Sequence, residues 1–245
     1  MPRIGLATIA RLTLTAAVFV TSGVTVAQSP HIPPQTPPRF YPLRHDDPPG
    51  VNAYWAGMIG QPQPSDFTFI RLDLPSTGTV EVYGFAPPRP VPLPQGWCGL
   101  SVGRMYRLKI AGLEEFPGAE LYPTVEVLDR THPPPGREAE FAVPIRLTTE
   151  EIEQALGGQL VTKVVYVEQP QLASPFPTED GLVVETLTPD VNLLKAADQR
   201  GRPLAIVRLG ARTPDPMHRD PLFYGPGGPV ILPRGPQAVP ADAMP

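Results

Sequence analysis

FTFIRLDLPSTGTVEVYGF, residues 67–85, alternates its side chains on both sides of a short break. In the first run Phe67, Phe69 and Arg71 fall on one side, and Thr68, Ile70, Leu72 and Leu74 on the other. The second run sets Val80 and Val82 against Glu81 and Tyr83. A period of two is the pattern of a half-buried strand. The break, Leu74–Gly78, has Pro at its second position, then Ser and Thr, then a Gly able to take positive φ, and it reads as a hairpin connection. Its letters are also those of the Leu-Pro-x-Thr-Gly tag that sortases cut. Such a tag lies near a C-terminus and is followed by an apolar stretch and basic residues. Here a second strand-like run follows, so LPSTG is a turn.

The same alternation recurs outward from this stretch. MYRLKIAG (105–112), YPTVEVLD (122–129), AEFAVPIRL (139–147), QLVTKVVYVEQ (159–169), GLVVETL (181–187) and PLAIVRLG (203–210) all carry it, with turn residues between most of them. Short strands at such spacing predict a mainly β fold, an immunoglobulin-like or related antiparallel β-sandwich. Two short helices interrupt it. In LTTEEIEQALGG (147–158), Thr148 and Glu151 form a capping box, Ile152 and Leu156 face inward, and Gly157 ends the helix. Glu150, Glu151 and Glu153 suit the positive end of the helix dipole better than a catalytic cluster. PDVNLLKAADQRG (189–201) reads as a second helix, capped by Asp190 and closed near Gly201.

Proline sets the domain boundaries. The chain of 245 residues holds 37 of them, about three times ordinary usage. They concentrate in 28–49, read as an extended polyproline-II linker, and in 213–245, a Pro/Gly-rich tail read as disordered. One β-sandwich domain is expected between them, over 50–212. VLDRTHPPPG (127–136) is read as a stiff hairpin loop between two strands, which puts Pro123 and Pro144 at one level and at least one of their strands at a sheet edge.

Ahead of the linker, residues 1–27 read as a signal peptide. Arg3 and Arg11 precede an apolar run, Leu12–Val26, and small residues stand before a cleavage point after Ala27. The run is short of the roughly 20 residues of a membrane span, and no second apolar stretch follows, so no span is expected after cleavage. The compartment implied is the periplasm, cell envelope or exterior. Cys98 stands alone, so no internal disulfide forms, and its place between Trp97 and a strand-like run points to burial rather than nucleophilic chemistry.

A formal charge of −4 gives no basic stripe for nucleic acid. No phosphate loop, Gly-x-Ser-x-Gly elbow, paired-His motif or CxxC occurs, and no cofactor, metal or catalytic residue is assigned. Asp129, Arg130 and His132 follow a strand, where catalytic groups often sit, but three prolines come next and a loop role is the simpler reading. His45-Asp46-Asp47 and His218-Arg219-Asp220 fall in the proline-rich ends and are read as solvated polar residues rather than metal ligands. The Pro123/Pro144 edge, as a docking place for a partner, is one candidate binding surface; the aromatic trio Tyr54, Trp55 and Trp97 is the other, for sugars or proline-rich peptides, set against a role as core plugs.

GLSVGRMYRLKIAGLEEFPGAELYPTVEVLDRTHPPPG (99–136) and KAADQRGRPLAIVRLGAR (195–212) resemble a family of exported bacterial proteins of unknown function. The resemblance covers roughly Gly99 to Arg212. It implies export and an envelope location, and supplies no site residues. The resulting expectation is a non-catalytic structural or protein-binding module of the cell envelope, with an envelope protein or a polysaccharide as partner and no oligomeric state specified. A glycan-binding module is the first alternative. A hydrolase with a site assembled from scattered Asp, Glu and His is the second.

Overall fold

In the computed structural model, residues 44–60, 62–63, 66–84, 89–169, 171, 184–218 and 220–232 are described. All of them fall in one compact unit, Arg39–Pro245. The signal reading for 1–27 and most of the linker lie outside the described residues. The chain opens with α1 (Val51–Gly60), β1 (Phe67–Asp73), β2 (Thr79–Gly84), β3 (Arg89–Pro92) and β4 (Trp97–Ser101). Then come β5 (Met105–Ala111), β6 (Glu120–Leu121), β7 (Thr124–Val127), β8 (Val143–Arg146), α2 (Thr149–Leu156) and β9 (Val161–Glu168). The last elements are α3 (Leu193–Arg200), β10 (Gly201–Leu209), α4 (Pro221–Tyr224) and β11 (Val230–Ile231).

The strands form two sheets. The smaller runs β11-β4-β1-β8; the larger runs β3-β2-β5-β7-β10-β9, with β6 added beside β5. One core joins them. Ile70, Leu72, Cys98, Leu100 and Ile145 come from the smaller sheet, and Val82, Leu108, Ile110, Val125, Val127 and Val207 from the larger. The molecule is a mainly β sandwich, as the alternation predicts. One pairing departs from an all-antiparallel scheme: β8 runs parallel to β1, with Ile70 opposite Val143 and Leu72 opposite Ile145.

Two connections differ from the hairpins expected. LPSTG does join β1 to β2, but β1 pairs with β4 and β8, whereas β2 pairs with β3 and β5. The turn therefore carries the chain from one sheet to the other. Gly78 is not in the left-handed region. A Cβ there would lie 2.9 Å from Leu113 Cδ2 and 3.0 Å from Leu74 Cδ1, so any other residue requires these two leucine ends to shift. Likewise the loop after β7 crosses between sheets rather than returning as a hairpin, because β7 is internal to the larger sheet and β8 is an edge of the smaller. Pro144 does sit on an edge strand. Pro123 only precedes β7, and its carbonyl accepts the Leu108 N–H at 2.8 Å.

Several local features were not anticipated. APPRPVPLP (86–94), with five prolines, contributes β3, an edge strand: Leu93 N donates to Val80 O at 2.8 Å, so Pro90 and Pro92, two residues apart, turn their donor-less nitrogens away from β2. VNAYWAGMIG forms α1, because Ala53, Ala56 and Gly57 give a face small enough to lie on the sheet; Gly103 Cα is only 3.2 Å from where a Gly57 Cβ would be. The described part of GLVVETL, residues 184–187, is not a strand. The α2 capping box forms as read, and Leu156 is exposed while Ile152 and Ala155 face inward. At α3 the cap is Asn192 rather than Asp190.

The tail reading needs the largest correction. Residues 220–231 are built into the domain through α4 and β11. Phe223 is buried against Tyr83 and Tyr122, and Val230 pairs with Leu100. Tyr106 Oη donates to Pro229 O at 2.8 Å, so the segment has both an apolar anchor and backbone partners. Proline content sets how a segment is written in sequence; whether it docks depends on anchors such as Phe223.

Candidate functional site

Register assembles a polar row on the outer face of the larger sheet. Arg107 of β5 lies opposite Thr124 of β7, Thr124 opposite Arg208 of β10, and Arg208 opposite Thr162 of β9. Residues directly opposite in antiparallel strands point to the same side. One residue along, Tyr106, Val125 and Val207 form the matching row on the core side. The four polar side chains therefore stand together on the face that the second sheet does not cover. They line one cleft of about 720 Å³, together with Tyr122, Gln154, Gln159, Arg212 and the chain at 45–49 and 187–191.

Arg208 and Glu126 anchor one side of this cleft. Glu126 is fully buried and Arg208 nearly so, and Arg208 Nη1 donates to Glu126 Oε1. The other Glu126 oxygen accepts the Ala53 N–H of α1 at 3.1 Å, a carboxylate at a helix N-terminus. Arg208 Nη2 donates to the carbonyls of His45 and Asp47 at 2.9 and 3.1 Å. The end of the proline-rich linker and the first turn of α1 are thus held to the sheet by one buried ion pair. A buried pair of this kind is costly to break from one side only.

The other side is built differently. Arg107 Nε donates to Phe223 O at 2.9 Å and Nη1 to Tyr122 O at 2.8 Å. Its guanidinium lies 4.5 Å from the Phe223 ring centroid, and that of Arg212 lies 5.5 Å from the same ring. Burial and the neighbouring Arg212 charge push the Arg107 guanidinium down to about 10. Between the two sides, Thr124 is 2% exposed, and its hydroxyl has no hydrogen-bond partner among the described residues.

Tyr54 and Trp55 are exposed on α1, their rings 5.7 Å apart at 70°. Trp97 is not with them. It begins β4 opposite Arg71 and packs edge-on against Phe69 at 6.1 Å, while α1 touches the chain at Gly103, beyond the far end of β4. Its indole N–H donates to Gln95 at 3.1 Å. The structure joins the first two residues of the trio and separates the third.

Asp129 follows β7, accepting the Arg130 N–H at 2.8 Å and Arg202 Nη1 at 3.3 Å. Arg130 in turn pairs with Asp66, so the charges of this loop neutralise one another. His132 opens on a different pocket, about 440 Å³, whose lining of Phe141, Pro144, Val165, Tyr166 and similar residues includes no carboxylate. His45 Nδ1 accepts the Leu193 N–H at 3.3 Å, and exposed His218 meets Asp215 at 3.3 Å. Among the described residues no three His, Cys, Asp or Glu side chains are grouped to hold a metal ion. No helix among them is long and apolar enough to cross a membrane.

The row Arg107–Thr124–Arg208–Thr162 was missed at the sequence level because its members are separated by up to a hundred residues and only register joins them. For Arg107, Thr124 and Arg208 the signal is there in weak form, since each stands between two apolar residues of its strand or its flank; Thr162, beside Lys163, lacks it. The chain matches no protein-family model, no curated protein and no solved structure with which it was compared.

Proposed function

We propose that this protein is an exported, non-catalytic module of the cell envelope that binds another envelope protein through the outer face of α1. The observation that carries the reading is the exposure of four large apolar side chains on that face: Tyr54 58%, Met58 59%, Ile59 46% and Trp55 43%. At 100° per residue these positions occupy one side of the helix, opposite Ala53, Ala56 and Gly57. VNAYWAGMIG carries no charge. Contiguous exposed apolar surface marks interaction sites, and Tyr, Trp and Met are enriched where proteins meet. Export is supported by the charged and apolar pattern of residues 1–27 and by the resemblance over Gly99–Arg212 to exported bacterial proteins.

A polysaccharide partner is the second reading, favoured by the same two aromatic rings. At 70° to one another they offer no shared flat surface for a sugar, which is why a protein partner comes first. The test is a pull-down of the mature protein from envelope extract, with mass spectrometry, beside the double variant Trp55→Ser and Met58→Ser. A protein retained by the parent and lost by the variant supports the reading. Equal retention by both removes α1 from the role, and capture of polysaccharide alone supports the second reading.

A further inference from the structure

Away from the α1 face, the cleft over the larger sheet has the makings of a ligand site. Arg107 and Arg212 both line it, and both guanidinium groups lie against the Phe223 ring. Among the described residues neither forms an ion pair with a carboxylate. The contrast with Arg208 is direct: its charge is met by Glu126, in a bond inside the fold. Arg107 is fixed by two backbone carbonyls, which hold its plane but leave its charge unmatched, and its Nη2 group makes no bond among the described residues. Two like charges held at one end of a cleft, with nothing of opposite sign bonded to them, favour an anion there.

Thr124 is the second, independent sign. Its hydroxyl is buried on the cleft floor, one strand from Arg107, and is unpartnered. Buried polar groups are normally satisfied, and an orphan lining a cleft calls for a partner from outside the chain. The acidic residues of the lining are Asp46 and Asp47, at its opposite side. Asp46 is paired with Arg44, and the Asp47 carbonyl is held by Arg208, two strands and about 10 Å from Arg107.

We infer that this cleft binds a phosphate-bearing ligand, its phosphate held by Arg107 and Arg212 with a hydrogen bond to Thr124 Oγ1. Two guanidinium charges match a dianion; a single carboxylate would leave one of them unmet. Arg212 can offer a pair of parallel bonds to phosphate oxygens, Arg107 adds its Nη2 group, and the threonine hydroxyl is a further donor. The cleft is much larger than a bare anion needs and falls in the size range of small-molecule sites, so the phosphate is the anchoring end of a larger molecule.

The test uses the mature full-length protein titrated with inorganic phosphate, and in parallel with acetate, by calorimetry at constant ionic strength. Phosphate is expected to bind more tightly than acetate. Arg212→Gln, an exposed position with no hydrogen bond to lose among the described residues, is expected to weaken phosphate about tenfold or more. Thr124→Val keeps the side-chain shape and removes the orphan hydroxyl. It is expected to weaken phosphate several-fold while leaving the melting temperature unchanged or raised. A hydroxyl with a purely structural role would lower the melting temperature when removed and leave the binding as it was. Absence of phosphate binding in the parent protein overturns the assignment. So does binding that both variants retain in full, and acetate binding as tight as phosphate would assign the cleft to carboxylates instead.

Discussion

Tyr106, Val125 and Val207 form a row across the inner face of the larger sheet; Arg107, Thr124 and Arg208, each one residue along its strand, form a row across the outer face. The inner row is closed in the core and the outer row lines the cleft, yet Val125 and Thr124 are both almost inaccessible. The inner row needs only apolar volume, since the second sheet closes over it. On the outer row every member has a particular partner to find: Arg208 has Glu126, Arg107 has two carbonyls, and Thr124 has none among the described residues. At Thr124 and Val125, nearly equal burial therefore asks only for volume on one side of the strand and for a polar partner on the other.

The sharpest way to break this comparison is Arg208→Met. The change fits the space roughly but leaves the Glu126 carboxylate buried without its cation, and frees the carbonyls of His45 and Asp47. A loss of about 3–5 kcal/mol is expected in urea denaturation. Val125→Ala on the inner face should cost less, about 2 kcal/mol, through lost burial and a small cavity. If the valine change proves the more damaging, specific pairing on the outer face is not what holds the linker end and α1 in place.

The inter-sheet turn gives a smaller contrast within five residues. Gly78→Val forces a branched side chain against Leu113 and Leu74, and should cost about 1–2 kcal/mol by overpacking. Thr77→Ala should cost only tenths. Thermal melts of the two variants check this, and a thermal loss in Thr77→Ala as large as that in Gly78→Val would show that the threonine, not the packing at the glycine, sets the turn.

Cys98 on the smaller sheet has the smallest effect near neutral pH. Burial pushes its thiol up from an ordinary 9.0 to about 12. A raised folded-state value means that the neutral thiol is favoured by folding. The contribution is fully present below about pH 9 and is lost as pH rises toward 12. Tyr83, raised by burial to about 12, acts in the same direction over pH 10–12. Cys98→Ala should therefore flatten the fall in stability between pH 9 and 11 relative to the parent. Native labelling with a thiol reagent should be slow and labelling after denaturation fast. Rapid native labelling would show that the thiol is not enclosed by the core.

The sequence carried the parts of this fold that depend on neighbours along the chain. Alternation in FTFIRLD, TVEVYG, MYRLKIA and VTKVVYVE marks their strands, and Thr148 with Glu151 marks the start of α2. What depended on non-neighbours was not legible. LPSTG looks the same whether the next strand pairs with the last or joins the opposite sheet. The alternation in TVEV and VPIR does not say that one strand is internal and the other lies parallel to β1. Of the aromatic candidates, Tyr54 and Trp55 are adjacent in sequence and stayed together, whereas Trp97 could be placed only by its pairing with Arg71. The cleft row is the extreme case, since a shift of one residue in any register would scatter it.

Each end of the described chain is held by a strand far from it in sequence. Arg208 holds the His45 carbonyl across 163 residues, and Tyr106 holds the Pro229 carbonyl across 123. Contacts of such separation carry a large loop-closure cost and form late, after local structure is in place. A growing chain cannot complete the smaller sheet until residue 231 is available, and cannot fasten the linker end until β10 has been made. This order keeps the molecule from finishing early.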